Sequence, residues 1–121
     1  FYIKALSLAL SEFPQLNCHY NVATGKILRF PSHNIGMAVD TPHGLAVPVL
    51  HGVQHRSLIE VATQMGALVE AARVNKLPTA SLTGGTITIS NIGSIGGTTA
   101  SPVILAPQVA IVALGRAQVL P

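Results

Sequence analysis

Residues 81–97 read SLTGGTITISNIGSIGG, in which five glycines flank a short alternating strand ending in Ser90-Asn91. Within TITIS (86–90), Ile87 and Ile89 point one way and Thr86, Thr88 and Ser90 the other, the period of two that a strand imposes. Three roles compete for the stretch: a phosphate cradle, a joint where strands pack closely, or the wall of an active site. A phosphate loop needs a Lys-Ser/Thr pair behind its glycines, because the lysine charge meets the phosphates. GSIGGTTAS (93–101) has no charged residue, and Ile95 stands where a dinucleotide fingerprint has its second glycine. Close packing accounts for the glycines without a ligand, since glycine permits φ > 0 and close backbone approach. The active-site reading rests on Ser90, whose hydroxyl ends the polar face beside a glycine turn. There it could donate to a developing oxyanion, as preorganised donors do in acyl transfer. It is not a nucleophile elbow, because Ile89 and Asn91 are its neighbours. Local pattern alone leaves the packing joint and the active-site wall both open.

Working outward, NIGMAVD (34–40) alternates as well, with Ile35, Met37 and Val39 on one face and Gly36, Ala38 and Asp40 on the other. Thr41-Pro42-His43-Gly44 places Pro and Gly where a type I turn favours them, and GLAVPVL follows, so 34–50 is predicted to be a hairpin. Pro48 lacks a ladder donor, which predicts an edge or bulged strand. Upstream, residues 1–12 are predicted helical, with Tyr2, Leu6, Ala9, Leu10 and Phe13 near helical spacing and Pro14 as the stop. Residues 16–22 and 26–30 are predicted to pair as strands about a turn at Ala23-Thr24-Gly25. The clearest helix is 58–73, with Ser57 and Glu60 forming a capping box. Its predicted stripe is Leu58, Val61, Ala62, Met65, Leu68, Val69 and Ala72. Downstream, Gly93 to Gly97 is predicted to loop out, and the apolar runs 102–105 and 109–115 to be strands buried on both faces. The predicted class is α/β, with helices packed on a mixed sheet.

The chain has 121 residues, enough for one domain, and is 49% apolar but only 9% charged, against roughly 25% in ordinary globular proteins. So little charge predicts surface hidden against other subunits or within a larger domain. Seven Lys/Arg are scattered, without the concentrated basic stripe that nucleic acid requires. No apolar run reaches the ~18–20 residues of a membrane span. Cys18 is the single cysteine, which allows no disulfide within the chain and no thiolate cluster. FYIKALSLAL opens as a helix already under way and the end follows an apolar strand, so a piece of a longer polypeptide is expected.

Histidines 19, 33, 43, 51 and 55 give no zinc frame: only His51 and His55 lie four apart, with no third ligand near. No metal is expected. Asp40, the only Asp, has two local readings: a strand-end acceptor for the turn amides at 41–44, or a ligand-facing acceptor opposite the apolar face.

Taken together, FYIKALSLALSEFPQLN, NIGMAVDTPHGLAVPVL and SLTGGTITISNIGSIGGTTASPVILAPQVAIVALG resemble one family across essentially the whole chain. It is the C-terminal catalytic domain of the dihydrolipoamide acyltransferases, the core components of 2-oxo acid dehydrogenase complexes. SNIGSIGGT is most similar to the branched-chain type. The resemblance implies a chloramphenicol-acetyltransferase-like fold and a homotrimer with the active site between subunits. Trimers of this kind assemble into a large core with the other components of the complex. The implied reaction moves an acyl group from a dihydrolipoamide thioester to coenzyme A, the lipoamide being carried on a domain outside this chain. By the same resemblance Ser90 is the oxyanion donor, and Asp40 and Asn91 match positions that contact coenzyme A. The loop 93–97 falls near the channel wall.

The family's general base is a histidine in a D-H-R-x-x-D-G motif, which these residues do not contain. By resemblance it lies beyond Pro121, and an Arg and a Ser that help bind coenzyme A lie before Phe1. Val69 stands where some relatives carry a polar coenzyme A contact. The 121 residues alone are therefore expected to be inactive. Two other functional classes fit the same residues: a core-forming or catalytically dead scaffold homologue, distinguished by loss of the downstream motif, and a free-standing coenzyme A acetyltransferase, distinguished by lack of a lipoyl domain. The implied location is the mitochondrial matrix in a eukaryote and the cytoplasm in a bacterium.

Overall fold

A computed structural model describes residues 1–91 and 102–120. Two helices, α1 (Tyr2–Glu12) and α2 (Leu58–Arg73), accompany seven strands: β1 (Cys18–Asn21), β2 (Lys26–Arg29), β3 (Ile35–Thr41), β4 (Gly44–Ala46), β5 (Val49–Leu50), β6 (Ile87–Asn91) and β7 (Ile111–Leu114). β1 and β2 form an antiparallel hairpin of their own. The other five make a mixed sheet in which β3 pairs antiparallel with β4 and β5 on one side and parallel with β6 on the other. β6 in turn pairs parallel with β7.

The hairpin predicted over 34–50 forms, and Pro48 sits on its edge arm as expected. There is no bulge, because Val39↔Ala46 and Ile35↔Leu50 belong to one register. Pro48 accepts from Met37 N at 3.0 Å and cannot donate in return, so the ladder is interrupted while the register survives.

The apolar face of the sheet makes the core. Ile35, Ile87 and Ile89 meet Ile3 and Leu10 of α1 and Val61 and Met65 of α2, with Leu50 and Val53 closing the cluster. Each such side chain contributes roughly 1.5–3 kcal/mol on burial. α2 starts at the predicted capping box: Glu60 N donates to Ser57 Oγ at 3.1 Å and Ser57 N to Glu60 Oε2 at 2.9 Å. Its buried stripe is narrower than predicted, since Val61, Met65 and Ala72 are buried while Leu58 and Ala62 are exposed.

The stripe of α1 is turned by about one residue from the predicted one. Ile3, Ser7 and Leu10 face inward, while Tyr2 and Phe13 are exposed. Polar Ser7 can lie inside because its hydroxyl meets His33 Nδ1 at 2.7 Å. Residues 102–105 also depart from expectation: they form no strand, and Val103 and Ile104 are exposed. Pro102 and Pro107 bracket this run and remove amide donors at both ends. The run 109–115 does yield β7, half-buried rather than buried on both faces.

A polar hub fixes the start of β6. Thr86 Oγ1 donates to Asn17 Oδ1 at 2.5 Å and accepts from Asn34 N at 3.1 Å. Asn17 Nδ2 holds the carbonyls of Phe30 and Ser32 at 2.9 and 3.0 Å, and Asn34 Nδ2 holds that of Gly84 at 3.1 Å. Two glycines of the opening stretch are explained here. Gly84 has φ +80, and a Cβ on Gly85 would lie 3.0 Å from Gln108 Nε2 and 3.3 Å from a Val49 methyl. Gly93, Gly96 and Gly97 lie outside the described residues.

His33 joins α1 to the sheet, and burial first, then the nearby His55 and Lys4, pushes its pKa below the ordinary 6.5. Lys4 Nζ itself donates to Val53 O at 3.1 Å. The folded chain thus binds this proton less readily than the unfolded chain, so stability is full above pH 6.5 and falls as the pH drops through it. Thermal unfolding of the full-length protein should show a lower midpoint at pH 5.5 than at 7.5, and His33→Gln should shrink that difference. An equal difference in the variant would remove His33 from the account.

Candidate active site

Ser90 stands near the C-terminal end of β6, half-buried, paired with Ala38 of β3 on one side and Ala113 of β7 on the other. Partners in register share a face, so Ser90 lies with Gly36, Ala38 and Asp40 from β3 and with Ile111 and Ala113 from β7. An alanine on each side leaves the serine hydroxyl standing above a floor of small side chains.

Three hydroxyls line up along this face of the chain, and their protons have different fates. Thr86, 1% exposed, donates to Asn17. Thr88, 0% exposed, donates to Gln108 Oε1 at 2.7 Å. Ser90 Oγ bonds to no other described side chain or backbone group, and it alone of the three reaches the surface. A hydroxyl has one proton to give, so of these three only Ser90 keeps one available for an incoming oxygen.

Asp40 is exposed on the same face, two residues beyond the partner of Ser90. It does not bond the turn: Thr41 takes that part, accepting from His43 N at 3.1 Å and donating to Gly44 O at 2.6 Å. The carboxylate has no hydrogen bond or ion pair among the described residues. Of the two local readings of Asp40, the turn acceptor is therefore removed.

Asn91 is brought close in sequence but turned away in space. It follows Ile87 and Ile89 in the strand alternation and pairs with Leu114, which packs against the core. The structure thus gathers Ser90 and Asp40 on one face and places Asn91 on the other. Val69 packs against the core cluster, which explains an apolar residue there. The loop 93–97 lies outside the described residues.

Three of the five histidines are engaged elsewhere. His33 meets Ser7, His19 Nε2 is 2.9 Å from Gly85 O, and His51 Nε2 is 3.0 Å from Ala80 O. Among the described residues no group of three or more His, Cys, Asp or Glu could hold a metal ion, and no helix is long and apolar enough to cross a membrane. A hollow of about 730 Å³ opens beside the β1–β2 hairpin, lined by Tyr20, Ile27, Leu28 and Pro107 among others, away from Ser90 and Asp40.

One polar link beneath this face had no sequence signal. Gln108 is bridged to His19 of β1 and bonded to Thr88 of β6, partners far away in the chain that no local pattern pairs with it.

Residues 1–121 match the family model of the 2-oxoacid dehydrogenases acyltransferase (catalytic domain). The chain is 50% identical over 121 residues to the mitochondrial lipoamide acyltransferase component of the branched-chain alpha-keto acid dehydrogenase complex of Bos taurus, covering 100% of this chain and 25% of that protein. It is 42% identical over 115 residues to the dihydrolipoyllysine-residue acetyltransferase component of the pyruvate dehydrogenase complex of Mycoplasma capricolum, covering 95% of this chain and 26% of that protein. Among solved structures, the dihydrolipoamide acetyltransferase of Azotobacter vinelandii superposes with a TM-score of 0.94 at 39% identity, over 98% of this chain and 49% of that one. That protein was studied for the catalytic roles of a serine, a histidine and an asparagine. The cubic core of a pyruvate dehydrogenase multienzyme complex superposes equally well, with a TM-score of 0.94. The chain spans about a quarter of the length of the curated relatives and about half of these solved chains. Matched from its first residue to its last, the chain belongs to the family of 2-oxoacid dehydrogenase acyltransferases, in the part of those proteins that forms the catalytic domain.

Proposed function

We propose that the protein containing this chain transfers an acyl group between a dihydrolipoamide thioester and coenzyme A, as the core component of a 2-oxo acid dehydrogenase complex of the branched-chain type. Residues 1–121 would be part of its catalytic domain, with the lipoyl and subunit-binding domains elsewhere in the polypeptide. The observation that carries the reading is the uncommitted proton of Ser90, set between Ala38 and Ala113 beside two hydroxyls whose protons are taken. The name of the Bos taurus relative supports the acyl class.

In this reading the coenzyme A thiol loses its proton to a histidine base outside these 121 residues. The thiolate attacks the thioester carbonyl carbon, and the carbonyl oxygen takes the charge. Ser90 Oγ donates to that oxygen while the tetrahedral centre exists, and the dihydrolipoamide sulfur then leaves and takes up a proton. A preorganised donor in a site shielded from water is effective because it needs no reorientation as charge develops. Asp40, exposed on the same face and without a partner among the described residues, is suited to accept from an N–H or O–H of coenzyme A. Asn91 would meet coenzyme A only from the opposite side of β6, or through the next subunit. Homotrimers built into a large core fit the exposed Leu8, Ile27, Leu28 and Ile59 and the cubic core of the solved neighbour. A matrix location in a eukaryote, or a cytoplasmic one in a bacterium, accords with the mitochondrial names of the animal and plant relatives.

Ser90→Ala in the full-length protein should lower kcat by about 10²–10³ and change KM little, since the bond is made mainly in the transition state. Steady-state acyl transfer to coenzyme A checks this, and an unchanged kcat would sink the assignment. Asp40→Ala should instead raise KM for coenzyme A several-fold with a smaller effect on kcat. A wild-type KM would take Asp40 out of the binding site.

A further inference from the structure

The face that carries Ser90 is not uniformly open. Thr86 and Thr88 on it are buried, and Gln108 links the second of them to β1. Through its backbone Gln108 forms an isolated antiparallel bridge with His19 of β1, and the neighbouring Pro107 carbonyl accepts from Tyr20 N at 2.9 Å. On the sheet side, Gln108 Oε1 accepts the Thr88 proton at 2.7 Å. His19 Nε2 completes the clasp on Gly85 O at 2.9 Å. Thr88 is fully buried here, while Ser90, the next residue on the same face, is half-buried.

We infer that Gln108 is a positioning residue for the acyl transfer: by taking the Thr88 proton it ties residues 107–108, and with them β1, to β6, so that the face is dry up to Thr88 and opens at Ser90. The inference rests on the proposed role of Ser90. A two-stranded hairpin has little stability of its own, and β2 is exposed along its whole length, so its docking depends on such ties. With the amide removed, Thr88 would keep a buried hydroxyl without an acceptor, and residues 107–108, with β1 paired to them, would lift to let water satisfy it. Water beside Ser90 weakens the hydrogen bond that stabilises the oxyanion, because a donor is worth more in a water-excluded site. Gln108 touches neither substrate nor reacting atom; it acts through Thr88 and the hairpin.

The test uses the full-length protein and acyl transfer from 2-methylpropanoyl-dihydrolipoamide to coenzyme A. Gln108→Leu should lower kcat about tenfold with KM for coenzyme A nearly unchanged, and should speed amide exchange in residues 18–29. Gln108→Glu keeps an oxygen for Thr88 and should restore kcat. In a Thr88→Val background, which removes the proton needing an acceptor, Gln108→Leu should cost clearly less than it does alone. Should Gln108→Leu fail to assemble, Gln108→Asn, one methylene too short to reach Thr88, carries the same expectation. A wild-type kcat in Gln108→Leu or Gln108→Asn, beside a Ser90→Ala that has lost activity, overturns the latch and leaves Ser90 standing. Equal impairment of Gln108→Glu and Gln108→Leu also overturns it. A wild-type kcat in Ser90→Ala overturns the oxyanion reading and the catalytic role of Gln108 with it.

Discussion

Everything in this chain that bears on chemistry depends on the parallel pairing of β3 with β6. Ile35↔Ile87 and Ala38↔Ser90 belong to one register, and that register decides two things together. It stacks Ile35, Ile87 and Ile89 against the helices, and it sets Ser90 beside Ala38 and near Asp40 on the reverse side. A slip of one residue would exchange the faces, putting hydroxyls in the core and isoleucines at the site. The register is pinned at its start by Thr86, Asn17 and Asn34, a buried polar hub whose bonds are exchanged among fixed partners. Core and site are thus two readings of one alignment.

The chain's low charge has a matching structural expression. Large apolar side chains are exposed on α1, on the β1–β2 hairpin, at the start of α2 and at 103–104. Patches of this kind mark contact surface rather than solvated surface. The hairpin is the most demanding case, because β2 shows Ile27 on one face and Leu28 on the other, 63% and 60% exposed.

Much of this was legible in the sequence wherever a local rule acts alone. The capping box of α2, the alternation in 34–40 and 86–90, and the turn between β1 and β2 all depend on neighbours within a few residues. Expectations failed where a distant partner overruled the local pattern. α1 buries Ser7 in place of Tyr2 because His33 is there to bond it. Residues 102–105 failed for a local reason instead: the run opens on Pro102 and is followed by Pro107. Asp40 lies on the face opposite Ile35 that its alternation predicts, while the turn acceptor is Thr41, its neighbour. Ser90 and Asn91 are adjacent in sequence, and strand geometry sends their side chains to opposite faces. Gln108 and the commitment of the Thr88 proton were invisible, because nothing within several residues of either announces the other.

The parallel register of β3 and β6 also has a kinetic consequence. Parallel strands cannot be joined by a tight turn, and here the connection contains β4, β5, the whole of α2 and the segment up to Gly85. Closing so long a loop costs chain entropy before any pairing contact compensates it, so contacts of this kind form slowly. The helices and the 35–50 hairpin rest on local contacts and can form first. Ser90 reaches Ala38 only when the long crossover closes, which makes the candidate site a late product of folding and an early loss when the crossover opens.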